Sequence, residues 1–207
     1  MISLKLGDNI DEAIQIISNN GVISYPTDTL YGLGGNPFSQ ETLDRIIAIK
    51  GRPTDKGLPL LLDDAESMMD FCLGRSDIAI LLAREFWPGS LTLVLPAAPC
   101  IHPQVTGSKG TVALRVPNHT VPRALARSLG GTIVGTSANP SGGNDPINAH
   151  DVERMLGSKV DYILNGGPAY RGLPSTILDI TKDRPKIIRD GALSRAAIEK
   201  VCGFSLD

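Results

Sequence analysis

A chain of 207 residues that is 42% hydrophobic and 20% charged can bury a substantial core and is too apolar to be an extended disordered segment. Its 20 Lys and Arg against 22 Asp and Glu leave a net charge of -2, so global charge gives no reason to attract nucleic acid, and affinity for phosphates must come from a local basic cleft. Aromatic residues are only 4% of the chain, which leaves Ile, Leu, Val and Ala to build the core, and no apolar run is long enough to cross a bilayer.

The amino terminus lacks the basic start and apolar stretch of a secretory signal, so a cytoplasmic protein with no membrane attachment is expected. Cys72, Cys100 and Cys202 have neither the number nor the spacing of a disulfide framework or a zinc site, and read as isolated apolar thiols.

Ile10, Ala13, Ile14 and Ile17 recur at helical spacing and predict a helix over 8–19, with Asp8 as its cap. Residues 21–25 read as a short apolar strand, ended by Pro26, which has no N–H to extend a ladder. The following T-D-T-L-Y-G-L-G-G sets short polar side chains just beyond the strand end. There they either face a ligand or cap their own backbone, before glycines at 32, 34 and 35 break the pattern. A helix is predicted over 39–50, and Lys50, Arg52 and Lys56 emerge at its end. Such cations suit either a solvated helix C-terminus or a phosphate clamp.

Residues 58–62 predict a buried strand. Asp63 or Asp64 is expected to cap a helix carrying Met68, Met69, Phe71 and Leu73, and a further helix spans 76–86. Strands over 90–95 and 111–116 are joined by a Pro- and Gly-containing loop expected to be able to move over a cleft. Arg115 interrupts the apolar pattern of the second strand, either as a snorkelling charge or as an anchor for a carboxylate or phosphate. A helix over 120–129 and a strand over 132–134 lead into G-T-S-A-N-P-S-G, whose Ser137 and Asn139 are within reach of a ligand or serve a hydrogen-bonded turn. A short helix around 152–156, strands near 160–164, 175–180 and 186–189, and a last helix over 194–201 complete the chain. This intermingling predicts one mixed α/β domain over 1–207.

No Walker loop or dinucleotide fingerprint is present, and His102, His119 and His150 are scattered as loop or cap residues rather than grouped as metal ligands. What recurs is a polar or cationic residue at strand ends: Thr29, Lys50 with Arg52, Arg115, Ser137 with Asn139, Ser175 and Arg189. Strand ends border ligand crevices in α/β folds, and separated cations suit a polyanionic small molecule such as a nucleotide.

Four segments in this order, Y-P-T-D-T-L-Y-G-L-G at 25–34, I-K-G-R-P-T-D-K-G-L-P at 49–59, T-S-A-N-P-S-G at 136–142 and P-S-T-I-L-D at 174–179, closely resemble the YrdC/Sua5 family, the threonylcarbamoyl-AMP synthases. The resemblance implies a twisted mixed β-sheet flanked by helices around a concave cationic cleft. It implies synthesis of threonylcarbamoyl-AMP from L-threonine, bicarbonate or CO2 and ATP, with release of pyrophosphate, to supply N6-threonylcarbamoyladenosine in tRNA. By the same resemblance, Thr29, Arg115, Ser137 and Ser175 contact L-threonine, while Lys50, Arg52, Lys56, Thr111, Asn139 and Arg189 contact ATP. Lys50 and Arg52 would stabilise the phosphoryl charge, and Mg2+ would ride on the ATP phosphates with no protein ligand. Proteins that pass the group to tRNA are the expected partners.

Leu61 stands where longer relatives often carry a histidine, and the second domain of the long form is not in this sequence, which reads as the short single-domain form. The competing functional readings are an RNA-binding or ribosome-maturation protein using the same cleft, a carbamoyl-adenylate site like that of hydrogenase maturation proteins, and a divergent paralogue without synthase activity.

Overall fold

The computed structural model describes residues 5–51, 55–74, 76–169 and 172–206. In chain order its elements are β1 (Lys5–Gly7), α1 (Ile10–Ser18), β2 (Ile23–Tyr25), β3 (Gly32–Gly34), α2 (Gln40–Lys50), β4 (Leu60–Leu62), α3 (Met68–Phe71), α4 (Asp77–Phe86) and β5 (Leu91–Pro96). Then come α5 (Pro103–Thr106), β6 (Thr111–Arg115), α6 (Thr120–Ser128), β7 (Thr132–Val134), β8 (Thr136–Ser137), α7 (Ala149–Leu156), β9 (Tyr162–Leu164), β10 (Thr176–Asp179), β11 (Lys186–Arg189) and α8 (Arg195–Cys202).

Local chemistry accounts for most helix ends. Asn9, not Asp8, caps α1, its Oδ1 accepting from the Asp11 and Glu12 N–H groups at 2.9 and 3.3 Å. Ser39 caps α2, and Gly51, at φ 56°, closes it in the left-handed conformation that glycine adopts without strain. His102 and His119 each accept a backbone N–H at the start of a helix, as cap residues do.

Two expectations change here. The helix after β4 is only four residues long, because Asp63 and Asp64 serve the turn before it: Asp63 accepts from the Ser67 hydroxyl and Asp64 from the Glu66 N–H. Leu73 N–H then donates to Pro96 O, and Cys72 bridges Ala97, which pulls the chain out of helical conformation. The segment between β5 and β6 is not a loose cover either. It contains α5 and is tied down by Leu58 N–H to Val105 O and Ala98 N–H to Phe71 O, at 2.9 and 3.1 Å.

The strands form two mixed sheets where one was expected, in the orders β1-β9-β2-β3-β8 and β11-β10-β5-β6-β4-β7. Consecutive strands β7 and β8 belong to different sheets, so the chain steps between them at Gly135. A Cβ there would stand 2.3 Å from the Leu61 side chain, and one on Gly34 would stand 1.7 Å from Val134 O. Gly34 and Gly135 are therefore points where β3 and the β7–β8 step pass too closely for a side chain, and Gly32–Gly34, expected as a break, is itself a strand.

The larger core includes Leu33, Leu43, Ile46, Leu60, Leu93 and Leu114; a second one packs α1 and α6 through Ala13, Ile17, Leu125 and Ala126 onto Ile23, Tyr25, Leu61 and Ile133. Full burial of each such Leu or Ile contributes about 2 kcal/mol. Alternation does the rest. In β6, Val112 and Leu114 enter the core, which turns Thr111, Ala113 and Arg115 to the opposite face; in β5, Leu91 and Leu93 enter it and Thr92 does not.

Candidate active site

The opposite face of the six-stranded sheet meets the loops after β2 and β8 around a cavity of about 370 Å³, whose wall includes Thr29, Tyr31, Leu61, Thr92, Arg115, Ser137, Asp145, Ser175 and Arg189. Arg115, at the end of β6, is 5% exposed. Its Nε donates to Gly89 O at 2.8 Å, its Nη1 to the Thr29 hydroxyl at 2.9 Å, and its Nη2 to Asp28 Oδ1 in a buried ion pair. Burial pushes the guanidinium below the ordinary arginine range, and Asp28 opposes that shift.

The 27–30 turn divides its labour. Thr27 Oγ1 accepts from the N–H groups of Thr29 and Leu30 and donates to Leu30 O, so it caps its own turn. Asp28 and Thr29 are thereby aimed at Arg115.

On a neighbouring wall, the Thr92 and Ser175 hydroxyls share a hydrogen bond of 2.8 Å, and Arg189 lies over them. Its Nη2 donates to Ser175 O at 2.8 Å and to Ser175 Oγ at 3.2 Å. Burial pushes Arg189 down from the ordinary arginine range, and the nearby carboxylate of Asp145 opposes this. Tyr31 carries its hydroxyl to Gly167 O at 2.6 Å, which braces the cavity's third side.

Lys50, at the end of α2, is also buried. Its Nζ donates to Asn139 O at 2.6 Å, Ser137 O at 2.7 Å and Asn139 Oδ1 at 2.9 Å. Asn139 in turn donates through Nδ2 to Gly143 O and Asn144 O, and accepts from the Ser137 hydroxyl at 2.7 Å. The ammonium thus organises the 137–144 turn from behind.

Of the residues singled out in the sequence, Thr29, Arg115, Ser137, Ser175 and Arg189 come together in the cavity wall. Lys50 and Asn139 are joined to each other directly behind Ser137. Thr111 shares the face of β6 that carries Arg115, about 13 Å away at roughly 3.3 Å per residue. Lys56 is exposed on the turn after α2, and Arg52 lies outside the described residues. Sequence reasoning raised Asp28 among the polar groups past the strand end without giving it a role, and missed Thr92, Tyr31 and Asp145 as members of the constellation. A carboxylate between two threonines and a lone hydroxyl within L-T-L-V-L were the available signals for the first two; Asp145 had none. Among the described residues, no three His, Cys, Asp or Glu side chains are placed to hold a metal ion.

A family model for Sua5, YciO and YrdC proteins, described as "Telomere recombination", matches residues 15–191. A threonylcarbamoyl-AMP synthase of Bacillus subtilis is 37% identical over 195 residues, which cover 94% of this chain and 56% of that protein. Another, from Cellvibrio japonicus, is 34% identical over 180 residues, covering 87% of this chain and 95% of that protein. Among solved structures, P. abyssi Sua5 complexed with L-threonine superposes with a TM-score of 0.92 at 33% identity, covering 100% of this chain and 63% of that one. The chain therefore spans under two thirds of the B. subtilis and P. abyssi proteins and nearly all of the C. japonicus one.

Proposed function

The chain belongs to the Sua5/YciO/YrdC family, and we propose that its cavity is the active site of an L-threonylcarbamoyladenylate synthase, a nucleotidyltransferase acting on L-threonine, bicarbonate or CO2, and ATP. The observation that carries this reading is Arg115. It is a buried, cross-braced guanidinium in the cavity wall, within a fold that matches a relative crystallised with L-threonine.

In this reading Arg115 takes the carboxylate of threonine, and the hydroxyls of Thr29, Ser137 and Ser175 surround the rest of it. The neutral amine attacks CO2 and loses a proton to give a carbamate. A carbamate oxygen then attacks the α-phosphorus of ATP as the bond to the β-phosphate oxygen breaks and pyrophosphate leaves. Holding both reactants on one rigid sheet makes the step effectively unimolecular. Arg189 and Thr111 extend the site towards the nucleotide. Arg52 and Lys56, on the chain leaving α2, are assigned to the phosphates, where cations offset the developing charge. Lys50 and Asn139 act through the turn they shape. With no protein cluster assigned to it, Mg2+ would be carried by the ATP phosphates and neutralise their oxygens.

We assign residues 1–207 to one YrdC-like domain, working in the cytoplasm with proteins that pass the threonylcarbamoyl group to tRNA. No helix among the described residues is long and apolar enough to cross a membrane.

The test is pyrophosphate release from ATP with and without L-threonine and bicarbonate, with the product identified by mass. Release that needs both, with the mass of threonylcarbamoyl-AMP, is expected. RNA binding by folded protein without turnover would replace this reading with the RNA-associated one.

A further inference from the structure

We propose that Asp28 is the positioning residue that presets Arg115 for a bidentate grip on an amino-acid carboxylate, an inference that rests on reading the cavity as the L-threonine site. Asp28 is 6% exposed and stands behind Arg115 rather than in the cavity wall, so it is placed to act on the guanidinium and not on the ligand. Its Oδ1 accepts from Arg115 Nη2, and its Oδ2 accepts from the Ser90 hydroxyl at 3.4 Å.

A guanidinium is planar and carries five N–H groups, one on Nε and two on each terminal nitrogen. Each of the three nitrogens of Arg115 spends one N–H on a different partner: Nε on Gly89 O, Nη1 on Thr29 and Nη2 on Asp28. Three partners on three nitrogens fix the plane and its rotation. They leave one N–H on each terminal nitrogen, the pair needed to take both oxygens of one carboxylate. Gly89 O and the Thr29 hydroxyl alone leave Nη2 unheld, so the second arm of the grip depends on Asp28. Its charge also balances the guanidinium in a buried setting, where an unpaired cation would draw in any anion.

The role predicts a selective defect rather than a general one. In Asp28→Asn the guanidinium keeps its charge and loses its fixed orientation. L-threonine affinity should fall about 10-fold, the size of one hydrogen bond to a charged group. Affinity for L-threoninamide, which lacks the carboxylate, should change by less than about 2-fold, as should that for a non-hydrolysable ATP analogue. The threonine to threoninamide ratio therefore collapses, a readout that a merely structural role would not move. Ser90→Ala, which removes the donor to Asp28 Oδ2, should lower the same ratio by about 3-fold and serves where Asp28→Asn does not fold. Isothermal titration of the folded variants measures all of these, with Arg115→Gln as the reference. If Arg115→Gln loses threonine affinity while Asp28→Asn, or in its place Ser90→Ala, keeps the wild-type ratio, the role of Asp28 is overturned. If Arg115→Gln itself binds threonine normally, the reading of the cavity fails, and the inference with it.

Discussion

At one end of the cleft the 27–30 turn grips a buried arginine; behind another wall a buried lysine grips the 137–144 turn. Both are cations almost closed off from solvent, at 5% and 4% exposure, and both meet a polar loop that follows a strand. The difference lies in donor number. Arg115 has five N–H groups and spends three on its supports, so it is held rigidly and still faces the cavity with a pair to offer. Lys50 has three, and oxygens of Asn139 and Ser137 at 2.6, 2.7 and 2.9 Å lie within reach of them, so the ammonium braces the turn that presents Ser137. Arg115 lines the cavity and Lys50 holds the turn behind it, although each sits at an element end in the sequence.

Four experiments break or sharpen this contrast. Lys50→Met should act mainly on stability: it strips three oxygens of a charged donor, for a loss on the order of 3 kcal/mol measured by denaturant unfolding. Unchanged stability with abolished turnover would make Lys50 a ligand contact instead. Arg115→Lys keeps the charge but cannot reach Gly89 O, Thr29 and Asp28 at once, so L-threonine affinity should fall about 30-fold, roughly 2 kcal/mol, with ATP-analogue affinity unchanged. Thr92→Val removes the hydroxyl shared with Ser175 and should weaken threonine binding by about 5-fold, near 1 kcal/mol, in the same titration.

The smallest effect concerns His119, which caps α6 through Nδ1 and whose pKa is pushed below the ordinary histidine value by burial, with Asp28 opposing. The folded protein then binds fewer protons here than the unfolded chain. Its contribution to stability is present above the unfolded pKa of about 6.5 and is lost as pH falls below that towards the folded value. Thermal melts between about pH 5 and 7.5 should show this slope, and His119→Asn, which keeps a cap acceptor, should flatten it. An unchanged slope would show that other groups set it.

Periodicity made most helices legible, because Ile10, Ala13, Ile14 and Ile17, or Leu43 and Ile46, announce a buried stripe directly. The short α3 was overread because backbone bonds that tie it to the β5 end, Leu73 N–H to Pro96 O and Ala98 N–H to Phe71 O, override its local pattern. Strands β3 and β8 stayed hidden because glycines such as Gly34, read as punctuation, sit inside a strand where, like Gly135, they allow close passage of one sheet over the other. Within the site, the contributing residue types were visible: Arg115 stood out as a charge in an apolar strand, and the T-D-T triplet as polar groups past a strand end. What each does was not, since the split between Thr27 capping its own turn and Asp28 holding Arg115 is decided by a single partner, Arg115, 86 residues from Thr29 and 87 from Asp28.

The most direct measurement is a crystal structure of the protein with L-threonine and a non-hydrolysable ATP analogue. It should show both carboxylate oxygens of threonine on the terminal nitrogens of Arg115, with Lys50 Nζ still on Ser137 O and Asn139 O. A phosphate oxygen on Lys50 Nζ, or a threonine carboxylate bound away from Arg115, would contradict the division between a presented and a structural cation.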